Sequence, residues 1–207
     1  MPTFDAILFD FDGVLVDSEP LHCAAWGEVL APLGVRLYWE YYRKHYLGMQ
    51  DADMIRQIAA RANPPLDWRD LWARHGAKKE VLRRKLEGAP FAPGLARLLA
   101  DLQRSYRLAV VSSSARMEVE PPLEMAGLRC YFAAVVTGQD VERPKPSPDP
   151  YLLAARLVSS RAPLVVEDSP AGTASGRAAG FEVLAVASAA EMPHLLRACL
   201  SRGFAPG

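Results

Sequence analysis

The stretch "ILFDFDGVLVDSEP", residues 7–20, joins a short apolar run to two aspartates that stand one residue apart. The run "AILFD" has the length of a strand and the continuous apolar character of a strand buried on both faces of a parallel sheet. Asp10 and Asp12 follow where this strand would end, and Gly13 permits a tight turn directly after them. The stretch therefore predicts a strand that brings two like charges to one end of a sheet.

Four later segments share the length and the apolar character of the first run. They are "RLAVVS" (107–112), "AAVVTG" (133–138), "PLVVED" (163–168) and "EVLAVA" (182–187). Helical patterns lie between them, and the first places four leucines at helical spacing: Leu95, Leu98, Leu99 and Leu102. Two further helices are expected to begin at Ser147 and Ser169, the second with Pro170 in its first turn and an end near Gly180. Strands that alternate with helices predict an α/β fold, a doubly wound parallel sheet of the Rossmann-like kind.

Residues 15–88 break this rhythm, because they contain helical patterns but no convincing strand, and they predict an inserted helical domain. Its first helix is expected to be capped at Asp17 or Ser18, to take Pro20 into its first turn and to end before Gly34. The apolar stripe of this helix is predicted at Leu21, Ala25, Val29 and Leu33. The glycines and prolines of "EGAPFAPG" (87–94) indicate a linker back to the sheet. The predicted division is a catalytic core of residues 1–14 and 89–207 and a helical cap of residues 15–88.

The composition is that of a globular protein without an excess of either charge. Half of the 207 residues are apolar, and 24 Lys and Arg balance 24 Asp and Glu. This balance argues against a nucleic-acid partner. No window reaches the roughly 18 apolar residues of a membrane span, and the N-terminus lacks the pattern of a signal peptide, so we expect a cytoplasmic protein without a membrane partner. Cys23, Cys130 and Cys199 are widely spaced and predict reduced thiols.

Polar side chains stand where the predicted strands end, and in an open α/β sheet ligands bind at the carboxyl ends of the strands. These residues are Asp10, Asp12, Ser112, Lys145, Glu167 and Asp168. A cluster of carboxylates needs a counter-charge, and Mg²⁺ fits because it prefers oxygen ligands and substrate phosphates. Lys145 and the Ser112 hydroxyl would contact the remaining phosphate oxygens. The combination predicts phosphoryl transfer.

The same residues carry a resemblance to a known family. The segments "DFDGVLVDSEP" (10–20), "VVSSS" (110–114), "RPKPSPDPY" (143–151) and "VVEDSPAG" (165–172) resemble, in order and spacing, the four motifs of the haloacid dehalogenase-like hydrolase superfamily. The helical insert resembles that family's helical cap, and the chain is similar to the branch that contains β-phosphoglucomutase and phosphoglycolate phosphatase. The resemblance implies a Mg²⁺-dependent phosphatase that acts on a small phosphate ester, as a monomer or weak dimer.

The resemblance also implies catalytic roles for the matching residues. Asp10 is the nucleophile that forms an aspartyl-phosphate, and Asp12 is the acid and base of the two proton transfers. Ser112 hydrogen-bonds the phosphoryl group, with Ser113 or Ser114 as substitutes for it in the alignment. Lys145 balances the charge of the nucleophile and the phosphate.

A metal site follows from the same resemblance. Mg²⁺ is coordinated by the side chains of Asp10 and Asp168 and by the backbone carbonyl of Asp12. Glu167 is either a ligand through water or a hydrogen-bond partner of the ligands. Backbone N–H groups after the first motif help to hold the phosphate, and Gly13 exposes them.

Asp12 separates the alternatives within the family. Dehalogenases and transport ATPases have no aspartate two residues after the nucleophile, whereas phosphatases and phosphomutases have one, so dehalogenation is disfavoured. The remaining spacing of a calcium-binding EF-hand loop is absent. Two alternatives stay open: a β-phosphoglucomutase-like sugar phosphomutase and a phospho-ligand binder without catalysis.

The cap must supply substrate specificity, because the four motifs handle only a phosphoryl group, a metal and water. His22 stands where β-phosphoglucomutase has a histidine near the substrate, and Ser113 and Arg116 are further candidate substrate contacts. Where the mutase has a lysine and an arginine around a cap glycine, "YLGMQD" (46–51) has Leu47 and Asp51. An aspartate there repels a second phosphate, which favours hydrolysis over the mutase reaction. His75 is expected to face solvent.

Overall fold

The computed structural model describes residues 4–47, 49–88 and 91–202 of the chain. Gly48, in the cap segment compared with the mutase, and residues 89–90, in the predicted linker, lie outside these described residues. The chain divides into two compact units, Met1–Asp17 with Ala89–Gly207 and Ser18–Gly88. Residues 15–17, which we expected in the cap, belong to the first unit because Leu15 and Val16 are buried in its core.

The first unit is built on a parallel sheet. Its strands are β1 (Ala6–Phe9), β2 (Arg107–Val111), β3 (Ala134–Val136), β4 (Pro163–Glu167) and β5 (Glu182–Ala185). Their order across the sheet is β3-β2-β1-β4-β5, and every neighbouring pair is parallel. Phe9 of β1 is paired with Val110 on one side and with Val166 on the other. The predicted α/β fold is confirmed, and the carboxyl ends of β2, β1 and β4 lie side by side where the strand order reverses.

Five described helices belong to the first unit with this sheet, and five others form the second unit. In chain order the described helices are α1 (Glu19–Leu30), α2 (Trp39–His45), α3 (Asp51–Arg61), α4 (Trp68–Trp72), α5 (His75–Leu86), α6 (Leu95–Leu102), α7 (Arg116–Met125), α8 (Asp149–Leu157), α9 (Pro170–Ala178) and α10 (Met192–Arg202). The first five belong to the second unit. Among the described residues, none of the helices combines the length and the apolar character that a bilayer crossing requires.

Successive residues of the strands pack on opposite faces of the sheet. Ile7 and Phe9 lie in one hydrophobic core with α6, α7 and α10. Leu8 lies in a second core with α8, and α9 packs against β4 and β5 through Gly176. Because helices cover both faces, the interior positions of the central strands are apolar, and charged residues stand only at strand ends, Arg107 in β2 and Glu167 in β4.

Two sequence predictions about the first unit need correction. β5 is an edge strand whose Glu182 and Ala185 are exposed, so the prediction that it is buried on both faces is wrong. α8 begins at Asp149 with Pro148 as its N-cap residue, so the start predicted at Ser147 is too early, although the Ser147 hydroxyl accepts from the N–H of Asp149 at 3.4 Å. The predicted start of α9 is confirmed, since the hydroxyl of its N-cap residue, Ser169, accepts from the main-chain N–H of Gly172 at 3.0 Å.

The second unit is a helical domain with a core of its own. α1 begins after Ser18, and a 3-10 turn (Ala31–Leu33) ends it at Gly34, as predicted. Its buried face differs from the prediction, because Trp26, a large and fully buried side chain, turns that face inward. The residues packed around Trp26 in this core include Cys23, Leu30, Met54, Ile55 and Leu71. Of the predicted stripe only Ala25 is fully buried, while Leu21, Val29 and Leu33 are half-buried.

The three cysteines are free thiols, as predicted. Cys23 is buried, Cys130 is exposed and Cys199 is half-buried. The sheet and helices of the first unit therefore hold together without a disulfide among the described residues.

Candidate active site

Lys145 connects three strands at the carboxyl edge of the sheet. Its Nζ donates to Asp10 Oδ1 at 2.6 Å, to Glu167 Oε1 at 2.6 Å and to the carbonyl of Val111 at 2.8 Å. Asp10 follows β1, Val111 ends β2 and Glu167 ends β4, so one ammonium group links the ends of the three central strands. Burial lowers the pKa of Lys145, but the charges of Asp10 and Glu167 outweigh this effect and the net pKa is raised. The ammonium group therefore stays charged.

Glu167 is fully buried, and both of its oxygens are engaged. Oε1 accepts from Lys145 and from the Tyr151 hydroxyl at 2.8 Å. Oε2 accepts from the N–H groups of Asp168 (3.0 Å) and Ser169 (3.1 Å) and from the Ser169 hydroxyl (3.0 Å). Such a set of donors stabilises a buried carboxylate. This arrangement favours a role for Glu167 in fixing Lys145 and the start of α9 over direct binding of a metal.

Two glycines allow the main chain to approach these carboxylates closely. Gly13 has φ +75°, and a Cβ atom there would lie 1.9 Å from Asp168 Oδ2. Gly172, in the first turn of α9, stands so close to Glu167 that a Cβ atom would lie 1.6 Å from Oε1. Any other residue would displace the neighbouring carboxylate, so Gly13 makes room for Asp168 in addition to forming the predicted turn.

Asp10, Glu167 and Asp168 form a group that could hold a metal ion, since one oxygen from each lies within 4.8 Å of the others. Burial raises the pKa of Asp10 well above its usual value; Lys145 opposes this shift and the neighbouring carboxylates add to it. Burial of its carboxyl group and the charge of Glu167 raise the pKa of Asp168 to about 7, although the residue as a whole is exposed. When its three carboxyl groups are ionised, the cluster carries more negative charge than Lys145 balances. An all-oxygen donor set with excess negative charge fits Mg²⁺.

Asp12 is bonded by serines of the loop that follows β2, residues 112–115, which we call the serine loop. The Ser114 hydroxyl donates to Asp12 Oδ2 at 2.8 Å, and the Ser112 hydroxyl lies 3.4 Å from the same oxygen. Ser113, between them, is exposed. Ser112 was the serine predicted in the site, with Ser114 only as an alternative to it in the alignment. Of the two hydrogen bonds to Asp12, however, that of Ser114 is the shorter.

Arg116, predicted as a substrate contact, pairs with carboxylates of its own unit. Its Nη2 lies 2.7 Å from both carboxylate oxygens of Asp140, and its Nη1 lies 2.9 Å from Glu120. Asp140 in turn accepts from the N–H and the hydroxyl of Thr137 at 2.7 and 2.8 Å. Arg116 thus fastens the start of α7 to the loop after β3. Its contact with substrate stays a prediction.

Tyr151 is a member of the site that the sequence analysis missed. It is fully buried, its hydroxyl donates to Glu167, and its ring centroid lies 5.0 Å from Lys145 Nζ. Burial and the charge of Glu167 raise its pKa well above the usual value, so the hydroxyl stays protonated as a donor. A signal was present in the sequence: a tyrosine on the apolar face of α8, with Ala154 and Ala155, needs a buried acceptor for its hydroxyl.

The second unit holds a polar cluster of its own that includes His22. Lys78, only 2% exposed, donates to Asp51 Oδ2 at 2.9 Å and lies 3.0 Å from His22 Nδ1. Asp51 Oδ1 accepts from the Trp26 indole N–H at 2.9 Å. Because an ammonium group only donates, this contact is a hydrogen bond when Nδ1 of His22 is the acceptor. Lys78 therefore offsets the charge of Asp51, and this weakens the repulsion of a second phosphate that was expected from Asp51.

His75 borders this cluster. Its ring stacks on Trp72, with ring centroids 4.3 Å apart, and its Nε2 lies 3.8 Å from Asp51 Oδ2. Only 26% of its side chain is exposed because the stacked rings cover it. The expectation that His75 faces solvent is wrong.

We expect Asp51→Asn to lower the free energy of unfolding by roughly 2–4 kcal/mol, because the buried Lys78 would lose its charged partner. The value lies below that of a fully buried pair since a quarter of the Asp51 side chain is exposed. Urea denaturation followed by tryptophan fluorescence measures the loss. Asp53→Asn is the control, because Asp53 pairs with Arg56 on the surface and should matter by less than about 0.5 kcal/mol. Equal losses in the two variants would contradict the assignment.

The same pair predicts a dependence of stability on pH. Burial raises the pKa of Asp51, but the charge of Lys78 and the bonds from Trp26 and Lys78 outweigh it, so the pKa is lowered in the folded protein. A lowered pKa contributes stability above the pKa of the unfolded chain, and this stability is lost as the pH falls through the folded value. The difference in unfolding free energy between the wild type and Asp51→Asn should therefore shrink below about pH 4.

Comparisons with known proteins agree with this fold and site. The chain matches the family described as haloacid dehalogenase-like hydrolase over residues 7–186. It is 34% identical over 191 residues to hexitol phosphatase A of Escherichia coli (strain K12), covering 91% of this chain and 85% of that protein. It is 30% identical over 187 residues to fructose-1-phosphate phosphatase of the same strain, covering 88% and 96%. The crystal structure of CbbY from Rhodobacter sphaeroides in complex with phosphate gives a TM-score of 0.67 at 32% identity, covering 87% and 84%.

A doubly wound sheet with carboxylates and a lysine at its switch point defines a class of α/β enzymes that bind their ligands at strand ends. Within this class, the chain belongs to the haloacid dehalogenase-like hydrolase family, whose match spans most of its length. It is a hydrolase of phosphate monoesters. The family predicted from the four motifs is confirmed.

Proposed function

We propose that the protein hydrolyses a small phosphate monoester, a sugar or sugar-alcohol phosphate, in a Mg²⁺-dependent reaction that passes through an aspartyl-phosphate on Asp10. The observation that carries the proposal is the contact of Asp10 with Lys145 at the switch point of the sheet, 2.6 Å long and buried. A carboxylate fixed in this way is held ready for attack on one phosphorus atom.

Asp10 is the nucleophile in this proposal and must be ionised to attack. Burial favours its neutral form, and Lys145 favours its ionised form. Lys145 remains charged because Asp10 and Glu167 both face it. The same ammonium group then balances the negative charge that a bound phosphate brings to the site.

Asp12 moves the protons. It gives a proton to the leaving oxygen as the bond from Asp10 to phosphorus forms and the bond from phosphorus to that oxygen breaks. It then accepts a proton from the water whose oxygen binds phosphorus, while the bond between phosphorus and Asp10 breaks. Ser112, at the end of β2 and 3.4 Å from Asp12, is the candidate hydroxyl donor to the phosphoryl oxygens.

The residues that would hold Mg²⁺ are the side chains of Asp10 and Asp168 and the carbonyl of Asp12, with Glu167 supporting them through its hydrogen bonds. Bound there, the ion supplies positive charge that offsets the carboxylates and the phosphate. The raised pKa values of Asp10 and Asp168 support a cation at this place, because each reports an excess of negative charge and burial. Gly13 supports it as well, since its bare backbone leaves the space that the Asp168 carboxylate occupies.

The substrate class is supported by the names of two relatives, hexitol phosphatase A and fructose-1-phosphate phosphatase. The second candidate function is a sugar phosphomutase, which needs a cation in the cap to grip a distal phosphate. At the two cap positions where the mutase has its cations, this chain has Leu47, which is exposed, and Asp51, which is paired with Lys78. Neither position offers a positive charge, and this favours hydrolysis.

We expect the purified chain to hydrolyse p-nitrophenyl phosphate and to lose about 10²-fold or more of this activity on treatment with EDTA, with recovery on addition of Mg²⁺. Phosphate release from a panel of sugar phosphates, sugar-alcohol phosphates, phosphoglycolate and nucleotides then identifies the substrate, and the first two classes should give the highest kcat/KM.

Two outcomes of these assays would overturn the proposal. The absence of Mg²⁺-dependent turnover of every monoester would point to the binder without catalysis. Rapid isomerisation of β-glucose 1-phosphate in the presence of a bisphosphate activator, with little release of phosphate, would point to the mutase.

A further inference from the structure

Ser114 makes a shorter hydrogen bond to Asp12 than Ser112 does. Its Oγ donates to Asp12 Oδ2 at 2.8 Å, whereas the Ser112 Oγ lies 3.4 Å from the same oxygen. The Ser112 hydroxyl is in addition an acceptor, for the main-chain N–H of Ser114 at 3.0 Å. Ser114 is thus the better placed of the two to fix the direction in which the Asp12 carboxylate points.

The serine loop that carries Ser114 is itself fixed from the side of β3. The N–H of Gly138 donates to the carbonyl of Ser114 at 3.3 Å. A Cβ atom on Gly138 would lie 2.6 Å from the carbonyl oxygen of Ser113, so only glycine permits this close packing. The loop is therefore anchored to the end of the neighbouring strand.

The other end of the serine loop is fastened to the start of α7. The N–H of Ala115 donates to the Glu118 carboxylate at 2.9 Å, and the N–H of Arg116 donates to the side chain of Gln139 at 2.9 Å. The paired bonds between Arg116 and Asp140 join the same two segments. A hydroxyl on a loop held at both ends keeps its position when the carboxylate it contacts gains or loses a proton.

We propose that Ser114 is a positioning residue for Asp12, which keeps the carboxylate aimed at the reacting oxygen during both proton transfers. The inference rests on the proposed function, in which Asp12 is the acid and base. Its consequence is specific: loss of the Ser114 hydroxyl should impair the steps that need a proton transfer and spare a step that does not.

The test compares two aryl phosphates whose leaving groups differ in basicity. Phenolate needs a proton as it leaves phenyl phosphate, whereas dinitrophenolate leaves 2,4-dinitrophenyl phosphate without one. For Ser114→Ala we expect kcat/KM to fall about 10-fold or more with phenyl phosphate and to stay within about 3-fold of wild type with 2,4-dinitrophenyl phosphate.

The second proton transfer has its own signature. With 2,4-dinitrophenyl phosphate, hydrolysis of the aspartyl-phosphate limits turnover once the first step is fast. In Ser114→Ala this hydrolysis should slow, so kcat should fall about 10-fold together with KM. A burst of about one dinitrophenolate per active site should then precede the steady state.

Matched variants separate positioning from other roles. Ser114→Thr keeps a hydroxyl and should recover most of the lost kcat/KM for phenyl phosphate. Ser105→Ala removes an exposed serine from the turn before β2 and should behave as wild type. Thermal unfolding of each variant shows whether the fold is kept, and Ser114→Thr remains informative if Ser114→Ala unfolds.

The outcomes against the inference are equally specific. An equal loss of kcat/KM with both substrates would assign Ser114 to the fold or to substrate binding. A rise in KM without a change in kcat would do the same, and either result would overturn the positioning role. Asp12→Asn serves as the reference and should show the same dependence on the leaving group with a larger loss. If Asp12→Asn shows no such dependence, the acid and base role in the proposed function fails first, and the role of Ser114 fails with it.

Discussion

Asp10→Asn is expected to lower the Mg²⁺-dependent phosphatase activity by at least about 10⁴-fold while the protein stays folded. An amide in place of the carboxylate cannot form the bond to phosphorus, and the other groups of the site cannot replace it. The substitution removes a buried carboxyl group, whose pKa is raised mainly by burial. Lys145 keeps Glu167 and the Val111 carbonyl as acceptors, so the melting temperature should not fall.

The measurement is kcat with p-nitrophenyl phosphate beside a thermal unfolding curve. Asp101→Asn, at an exposed position on α6, is the matched control and should leave both unchanged. Activity of Asp10→Asn within 10-fold of wild type would refute the nucleophile assignment. A folded but inactive variant would support it, and trapping of radioactive phosphate on the wild type but not on Asp10→Asn would identify the attachment site.

The core of this fold and most of the candidate site could be predicted because both depend on local sequence. β1, β2 and β4 are buried on both faces, so their apolar runs are continuous and the first polar residue marks the end of each strand. Asp10, Ser112 and Glu167 stand at those ends, and a parallel sheet brings such ends together whatever the length of the connections. It is harder to predict from the sequence that a strand lies at the edge of the sheet. β5 is apolar like the central strands and yet is half-exposed.

The cap was harder to predict, since its polar contacts join residues that are far apart in the sequence. Asp51 was expected to repel a second phosphate, and its partner Lys78, 27 residues away, was not predicted. His22 and Lys78 are separated by 56 residues, and Trp26 and Asp51 by 25. The spacing of neighbouring residues in the sequence therefore cannot predict such pairs. Trp26 also explains the error in the buried face of α1, because its large ring and its N–H group both require the interior.

The contacts of Arg116 and Tyr151, in the first unit, were also hard to predict because they join residues that are far apart in the sequence. Arg116 follows the serines directly, and its position suggested a contact with substrate, but Asp140, 24 residues away, takes its guanidinium. Tyr151 was given no role from the sequence, although its hydroxyl bonds Glu167, 16 residues away. In both cases the partner determines the role, and the partner becomes visible only in three dimensions.

Gly13→Ala is expected to lower activity about 10³-fold, although residue 13 carries no side chain that could react. A Cβ atom there would lie 1.9 Å from Asp168 Oδ2 and 2.6 Å from its carboxyl carbon, well inside van der Waals contact. Asp168 would have to move by more than about 1 Å, and displacements of that size in a reacting site cost about 10²-fold or more. Because Asp168 is a proposed ligand of Mg²⁺, the variant should also lose the increase in melting temperature that Mg²⁺ gives the wild type.

The control for Gly13→Ala must carry the same backbone strain without the contact. Gly180 has φ +79°, and a Cβ atom there would meet no atom within 4 Å, so Gly180→Ala adds about 1 kcal/mol of left-handed strain and nothing more. We expect Gly180→Ala to lose some thermal stability but to keep both its kcat and its stabilisation by Mg²⁺. Suppose that the two alanine variants lose activity and the stabilisation by Mg²⁺ to the same degree. In that case backbone strain is the cause, and crowding of Asp168 is excluded. If only Gly13→Ala loses them, the absence of a side chain at residue 13 is what keeps Asp168 in place at the proposed metal site.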